Sequence, residues 1–407
     1  VSPRLAVAFP ITVDSKLFFN YGHFRSIPLP EDFFLLRAEK TSGSLTRIGS
    51  PSNPLPRTIQ YELGYEQNLF DQLLLRISGY YKDISGEVLL TEYVDGDRNI
   101  DYFVSLPNRY RDIRGAEITV NKNRGKWIQG FINYTFDVRS RGYFGYLKYD
   151  IDPQTQRAYE RRQFKQTKPL PAPFARANLL FSTPSDLGGG PEGFSLLGDW
   201  SVAATVSWSA GSHFTFPTIP ETGEPLILGE ENNLQWRDNF NVNMRVAKNF
   251  KVFGADVQLF ADMTNLFDNR RFTEFGFYNR TDYELYIRSL HLPFEIAGDP
   301  LSQTLKYPNI PGDDKPGDYR KNEVSFQPIE VVTTFAQLGL TPQTNSTRPF
   351  YYVADVQKYY QLLNGNWQEV ESGKLQQVLD DKGYIDMPNL DTFTFLDPRR
   401  IFFGVRL

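Results

Sequence analysis

Residues 252–268 read VFGADVQLFADMTNLFD, and from Ala255 onward they alternate without a slip. Ala255, Val257, Leu259, Ala261 and Met263 fall on one side, and Asp256, Gln258, Phe260, Asp262 and Thr264 on the other. A period of two held over about ten residues describes a β-strand with one apolar and one polar face. Strands of soluble sandwiches usually run about five or six residues. About ten is the length that a tilted strand needs to cross the hydrocarbon core of a bilayer.

The same pattern recurs along the chain. Residues 239–248 carry Phe240, Val242, Met244 and Val246 against Asn239, Asn241, Asn243 and Arg245. Residues 200–211, 176–182, 127–137, 113–122, 73–83, 58–66, 16–24 and 4–9 alternate likewise, as do 400–407 at the other end. The connections between them alternate short and long, and every long one falls at the same end of the sheet. The long ones are 25–57, broken by Pro28, Pro30, Pro51, Pro54 and Pro56, then 84–110, 138–174, 211–238 and 269–399. Soluble sandwiches use Greek-key crossings and do not sort their loops by length. A meander with short turns at one rim and long loops at the other is the pattern of an outer-membrane barrel. The expected fold is all-β: about eleven antiparallel, up-and-down transmembrane strands of a β-barrel, with a small mixed insert.

Composition is compatible with that fold. Of 407 residues 15% are aromatic, with 33 Phe and 23 Tyr, which suits the aromatic girdles of a membrane protein. Tyr21, Tyr65, Tyr81, Trp127 and Trp208 stand at strand ends, where girdles form. A mean hydropathy of −0.43 fits strands of which only every second residue meets lipid. No stretch of 18 apolar residues exists, so no transmembrane helix is expected. A net charge of −4 leaves no basic footprint for nucleic acid, and the absence of cysteine excludes disulfides and thiolate metal sites. Residue 1 is Val with no leader pattern after it, so the sequence starts at a mature terminus or inside a longer chain.

Three segments are expected: 1–268 with strands and loops, 269–399 as an external insert or cap, and 400–407 as a final strand. Within the insert, Ser372 preceding 373–382 predicts a capped helix with Leu375, Val378 and Leu379 on one face. Residues 353–363, ending at Asn364-Gly365, predict a second helix. Phe350, Tyr351, Tyr352, Tyr359, Tyr360 and Trp367 supply apolar surface for a small core.

Motifs for chemistry are few. Asp95 to Asp101 places oxygen ligands at alternate positions, but Ile100 and Leu106 occupy the places where a calcium loop needs Gly and Glu. Gly188-Gly189-Gly190 lacks the Lys-Ser/Thr of a phosphate loop. His23, His213 and His291 have no partners at metal or triad spacing. Asn279-Arg280-Thr281 and Asn345-Ser346-Thr347 match a glycosylation pattern only formally. No catalytic residues, metal or cofactor are expected, and the chain reads as a non-enzyme.

Several short stretches carry a resemblance. They are Ser2-Pro3-Arg4-Leu5, Tyr61-Glu62-Leu63-Gly64-Tyr65-Glu66, Tyr80-Tyr81-Lys82-Asp83-Ile84, Arg114-Gly115-Ala116-Glu117-Ile118, Asn265-Leu266-Phe267-Asp268 and the closing 398–407, PRRIFFGVRL. In that order and spacing the chain resembles the C-terminal half of the β-barrel of a TonB-dependent outer-membrane receptor. The resemblance covers the strands and not the 269–399 insert, and Leu407 departs from the usual aromatic terminus. It implies a barrel of twenty-two strands, a plug in its lumen, and active import of a scarce solute of the siderophore, cobalamin, oligosaccharide or peptide class. It further implies outer-membrane lipid as surroundings, TonB with its inner-membrane energy complex as partner through the plug, and extracellular long loops. A surface lipoprotein is a further candidate partner for the insert. The competing reading is a passive porin or an adhesin barrel without a plug. Substrate contacts are expected on the outer loops and lumen, with His23, Arg25, Arg76, Tyr110, Trp236 and Tyr278 as candidates. Leu73, Leu75, Ile77, Val202 and Val206 are expected on the lipid side, with Arg76, Asn243 and Gln258 inside.

Overall fold

Alternation becomes an antiparallel path of eleven strands. The computed structural model describes residues 2–39, 44–96, 100–162, 166–188, 195–216, 231–252, 254–270, 272, 276–292, 312–321, 323–339, 348–387 and 398–407. The strands are β1 (Arg4–Thr12), β2 (Ser15–Arg25), β3 (Arg57–Leu69), β4 (Leu73–Asp95), β5 (Ile100–Lys122) and β6 (Ile128–Tyr143). They continue as β7 (Phe174–Ser182), β8 (Trp200–Ser209), β9 (Asn239–Val252), β10 (Ala255–Thr264) and β11 (Arg400–Arg406). Each neighbours the next, and β1 and β11 stand at the two ends of the path.

Register keeps one face apolar from β1 to β8. Val7 pairs with Phe19, Phe19 with Leu63, Leu63 with Gly79, Gly79 with Ala116 and Ala116 with Phe136. The row through Leu75, Val120, Ile132, Ala177 and Val206 does the same. This apolar face is the exposed one: Leu63 keeps 59% of its surface and Ile132 51%, whereas Phe18 on the opposite face keeps 8%. A soluble protein buries its apolar side, so the inversion marks a sheet built for an apolar solvent. The registers place Leu75, Ile77, Val202 and Val206 on this outward face and Arg76 on the other, while in the β9–β10 pair Asn243 and Gln258 alternate with the apolar Met244 and Leu259. The inner face packs closely enough to need a glycine. A Cβ on Gly64 would come within 2.2 Å of the Phe18 ring, which itself lies 4.4 Å beneath the Arg76 guanidinium.

One connection is not a loop. Residues 84–110, expected as a long connection, complete a ladder in which β4 and β5 each run 23 residues, closing at Asp95 and Ile100. At about 3.3 Å per residue such a strand is roughly 75 Å long, against about 30 Å of hydrocarbon. The run of β-branched and aromatic residues on both sides favours strand, while Gly86, at φ 74, absorbs a bulge that breaks the alternation. The middle of the Asp95–Asp101 motif, 97–99, lies outside the described residues.

Two neighbouring connections dock on this ribbon. Leu45–Ile48, after a short helix at Pro30–Phe34 and a strand at Leu36–Ala38, pairs in parallel with β5 through Arg47 and Phe103. Lys148–Asp150 pairs in parallel with β4 through Glu92 and Lys148, and is followed by a helix at Pro153–Arg162. Asp152 caps that helix, its carboxylate accepting from the Thr155 amide at 2.7 Å. The chain preceding β3 thus reaches the β5 edge, and the chain following β6 reaches the β4 edge. Two-stranded ribbons twist strongly, and that twist exchanges the sides on which their edges lie.

Ala210–Asn239 and Asn265–Arg399 form a second compact unit, so residues 210–239, counted with the strands and loops in the sequence reading, group with the insert. Its main core gathers Leu234, Trp236, Phe272, Tyr286, Ile287, Leu290, Leu292, Tyr384 and Ile385. A four-stranded sheet orders Ile329–Val332, Phe350–Val353, Lys358–Leu363 and Asn366–Glu369, with Tyr351, Val353 and Leu338 buried beside it. The helix expected at 353–363 is therefore a β-hairpin. Asn364 and Gly365, at φ 51 and 81, form a two-residue turn that joins the last two strands of this sheet rather than ending a helix. The other expected helix is present as Ser372–Asp380, with Glu371 and not Ser372 at the cap position. Asn279 heads a helix at Arg280–Ser289, its side chain accepting from the Asp282 amide at 2.9 Å. Asn345–Thr347 and Gly189–Gly190 lie outside the described residues.

Candidate functional site

The inner face of β3 to β7 is where polar side chains converge. Glu62 on β3 accepts from Asn20 of β2 at 3.1 Å and from Arg76 of β4 at 2.9 Å. Arg76 also reaches Glu66, which pairs with Lys16 at 2.8 Å. Two strands further on, Asn133 donates to Glu117 at 2.9 Å and to Thr119 at 2.8 Å. Asp137, almost wholly buried, accepts two bonds from Arg139 at 2.8 and 3.0 Å. Such charge-assisted ladders hold the largely covered carboxylates in fixed positions, while the Lys16, Arg76 and Arg139 side chains remain partly exposed. Between them opens a pocket of about 530 Å³ bounded by Glu62, Arg76, Tyr80, Lys82, Glu117, Asp137 and Arg139. Its size is that of a small-molecule site. With carboxylates and cations interleaved, it offers donors and acceptors to a hydrogen-bonding solute.

The six residues picked from sequence do not come together. Arg76 lines this pocket. His23 sits on the outward face, its Nε2 2.5 Å from the Tyr21 hydroxyl, beside a row formed by Tyr21, Tyr61 and Tyr81. Arg25 follows on the same face and donates to the Leu55 carbonyl at 2.8 Å. Tyr110 shares that face with Ser85 and packs against Phe144, ring centroids 4.9 Å apart. Trp236 belongs to the core of the second unit, stacked over Tyr286 and edge-on to Phe272. Packing takes up the ring that was offered to a ligand. Tyr278 is exposed on that unit, just before its capped helix. Sequence reading passed over Tyr80, Lys82, Glu117, Asp137 and Arg139. The available signal was parity: each lies on the polar side of its own strand, in step with Arg76 or Asn133.

Within the second unit a buried polar knot ties distant segments. Asp314 accepts from the His291 amide at 2.9 Å and the Tyr384 hydroxyl at 2.7 Å, and Lys382 bridges it to Asp318. His291 stacks flat on Tyr384 with centroids 3.8 Å apart, and burial holds its imidazole down to about 4. Its donors and acceptors serve one another, which is the signature of a structural tie.

A family model described as TonB dependent receptor-like, beta-barrel, matches residues 1–266. The chain belongs to that family. The match ends just past β10, leaving 267–407 outside it. No curated protein matches this TonB-dependent receptor chain. Among solved structures it resembles the ferric-catecholate import receptor Fiu from Escherichia coli, at 14% identity over 66% of this chain and 30% of that one, with a TM-score of 0.38. The outer-membrane transporter YddB from Escherichia coli is similar at 10% identity over 66% and 37%, with a TM-score of 0.43. The copper transporter OprC is similar at 14% over 66% and 34%, with a TM-score of 0.38. The chain spans about a third of the length of each of these structures. The matching family model is a receptor-like β-barrel, and residues 1–266 carry that fold.

Proposed function

We propose that this chain forms the solute-handling part of an importer driven through TonB. The carrying observation is the polar, pocketed inner face, backed by an outward face of exposed apolar side chains. In this reading the outward face meets lipid, the long connections lie outside the cell, and solute descends along the inner face. A plug in the complete receptor closes the path, and TonB transmits inner-membrane energy that displaces it. Arg76 and its neighbours on the pocket hold the solute in passage. The second unit acts as a lid over the path or as the dock for a lipoprotein that delivers solute. The transported solute is a scarce compound of the siderophore, cobalamin, oligosaccharide or peptide class.

Disruption of the gene in its host, followed by growth on ferric chelates, cobalamin, oligosaccharides and peptides as limiting sources, tests the reading. We expect a defect on one class that deletion of TonB reproduces. Uptake that survives loss of TonB leaves a passive pore and overturns it.

A further inference from the structure

Above the pocket, at the end of the sheet that carries the long connections, the inner face changes character. In β5 and β6 the inward positions hold Arg109, Arg111, Arg139 and Arg141, and Lys82 of β4 joins them across the ladder through Ile113. Arg111 and Arg141 are direct cross-strand partners. Like charges placed opposite one another in a sheet destabilise it. Two carboxylates answer the four arginines: Glu87, gripped by Arg111 and directly opposite Arg109, and Asp137, gripped by Arg139; Lys82 shares the pocket below with Glu62 and Glu117. Among the described residues neither Arg109 nor Arg141 has an ion-pair partner of its own. Burial lowers the proton affinity of the Arg109 guanidinium; Glu87 opposes that shift, and Arg111 and Arg141 add to it. The sheet thus keeps a local excess of positive charge where its own structure gains nothing from it. Arg114, on the outward face of the same strand, is separate from this band.

We infer that Arg109 and Arg141, with Arg111 and Lys82 beside them, form a binding site for a small solute bearing several oxyanion groups. The inference rests on the importer reading and names the charge class of its cargo. A guanidinium matches a carboxylate or phosphate with two parallel hydrogen bonds, and a cluster of them holds a multivalent anion better than isolated lysines do. An anion between Arg111 and Arg141 also removes their repulsion. The site opens into the pocket along Lys82 and Arg139, so a bound anion stands at the pocket's upper end. Lipid headgroups would meet the other face of the sheet.

The test uses the complete receptor, purified in detergent and titrated calorimetrically at low salt with citrate, with pyrophosphate and with a neutral trisaccharide. Both anions are expected to bind and the trisaccharide to leave this site unoccupied. Arg109→Ser and Arg141→Ser should each weaken anion binding about tenfold or more, while Arg114→Ser, with the same loss of charge, should leave it unchanged. Arg141 is exposed, and heat-modifiable mobility on gels confirms that each variant is folded. Failure of wild type to bind either anion, or equal weakening in Arg114→Ser, overturns the site. Anion binding without TonB-dependent uptake removes the importer reading and leaves the site. TonB-dependent uptake without anion binding does the reverse.

Discussion

A lysine at position 77 separates the two faces of the sheet energetically. Residues 73–83 are the part of β4 that sequence assigns to the membrane, and Ile77 lies one place from its centre. It pairs with Tyr65 on one side and Ile118 on the other, all three turned outward, and 42% of its surface is free. An ammonium there has no carboxylate to meet, because Glu62 and Glu66 are engaged on the inner face by Arg76, one residue away. A cation at the midplane of a membrane barrel costs about 2–4 kcal/mol. Asn178→Lys, inward and opposite the uncharged Phe131 and Thr205, should cost under about 1 kcal/mol by comparison. Urea titrations of the complete receptor in lipid vesicles measure both. These 407 residues hold no cysteine, so Ile77→Cys and Arg76→Cys, each compared with the parent receptor, can be probed with a water-soluble maleimide. Equal costs for the two lysines, or labelling at 77 and protection at 76, would mean that the faces are reversed.

Other outcomes follow from packing and burial. Gly64→Ala, with its Cβ driven into the Phe18 ring and 2.9 Å from the Ile77 carbonyl, should lower stability by about 1–3 kcal/mol in the same titration, an overpacking cost that Phe18→Leu relieves. Because His291 titrates near 4 when folded and near 6.5 when unfolded, its contribution is intact above pH 6.5 and is lost as pH falls towards 4. The second unit should weaken by about 1.4 kcal/mol per pH unit across that window, and His291→Phe should flatten the slope of melting temperature against pH. Replacing 270–398 with a short Gly/Ser linker in the complete receptor should spare barrel assembly and reduce uptake. Since Leu234 and Trp236 lie in the same core, 212–237 must be shortened as well to avoid stranding apolar surface. Unchanged uptake would make the insert a passive shield.

The sheet was legible because each strand declares its two faces by itself. Alternation through Ile77, Ile132 and Leu259 is a local property, and eleven repetitions of it leave few architectures. The extended ribbon was missed because the bulge at Gly86 shifts Glu87 onto the face of Arg109, and a broken phase reads as a loop. In the insert, Val353, Val356, Tyr360 and Leu363 fall at helical spacing by coincidence, and Asn364-Gly365 suits a helix end as well as a hairpin turn. The pocket was harder still. Parity shows that Glu62, Glu117 and Asp137 point inward, but only register brings residues from four strands to one height. Trp236 and Tyr384 meet in one core although nearly the whole insert separates them in sequence. No local pattern encodes such a meeting.

The exchanged edges of the β4–β5 ribbon bear on how this receptor can be re-engineered. Loop grafting treats each surface connection as a cassette, cut at two strand ends and replaced freely. Here the 26–56 cassette completes an edge on β5, and the 144–173 cassette completes one on β4. A graft that replaces either alone strips hydrogen-bond partners from a strand belonging to a different connection, leaving an open edge prone to pairing with other chains. Transplanting recognition onto another barrel therefore requires all three cassettes together, with Gly86 retained to set the ribbon's phase.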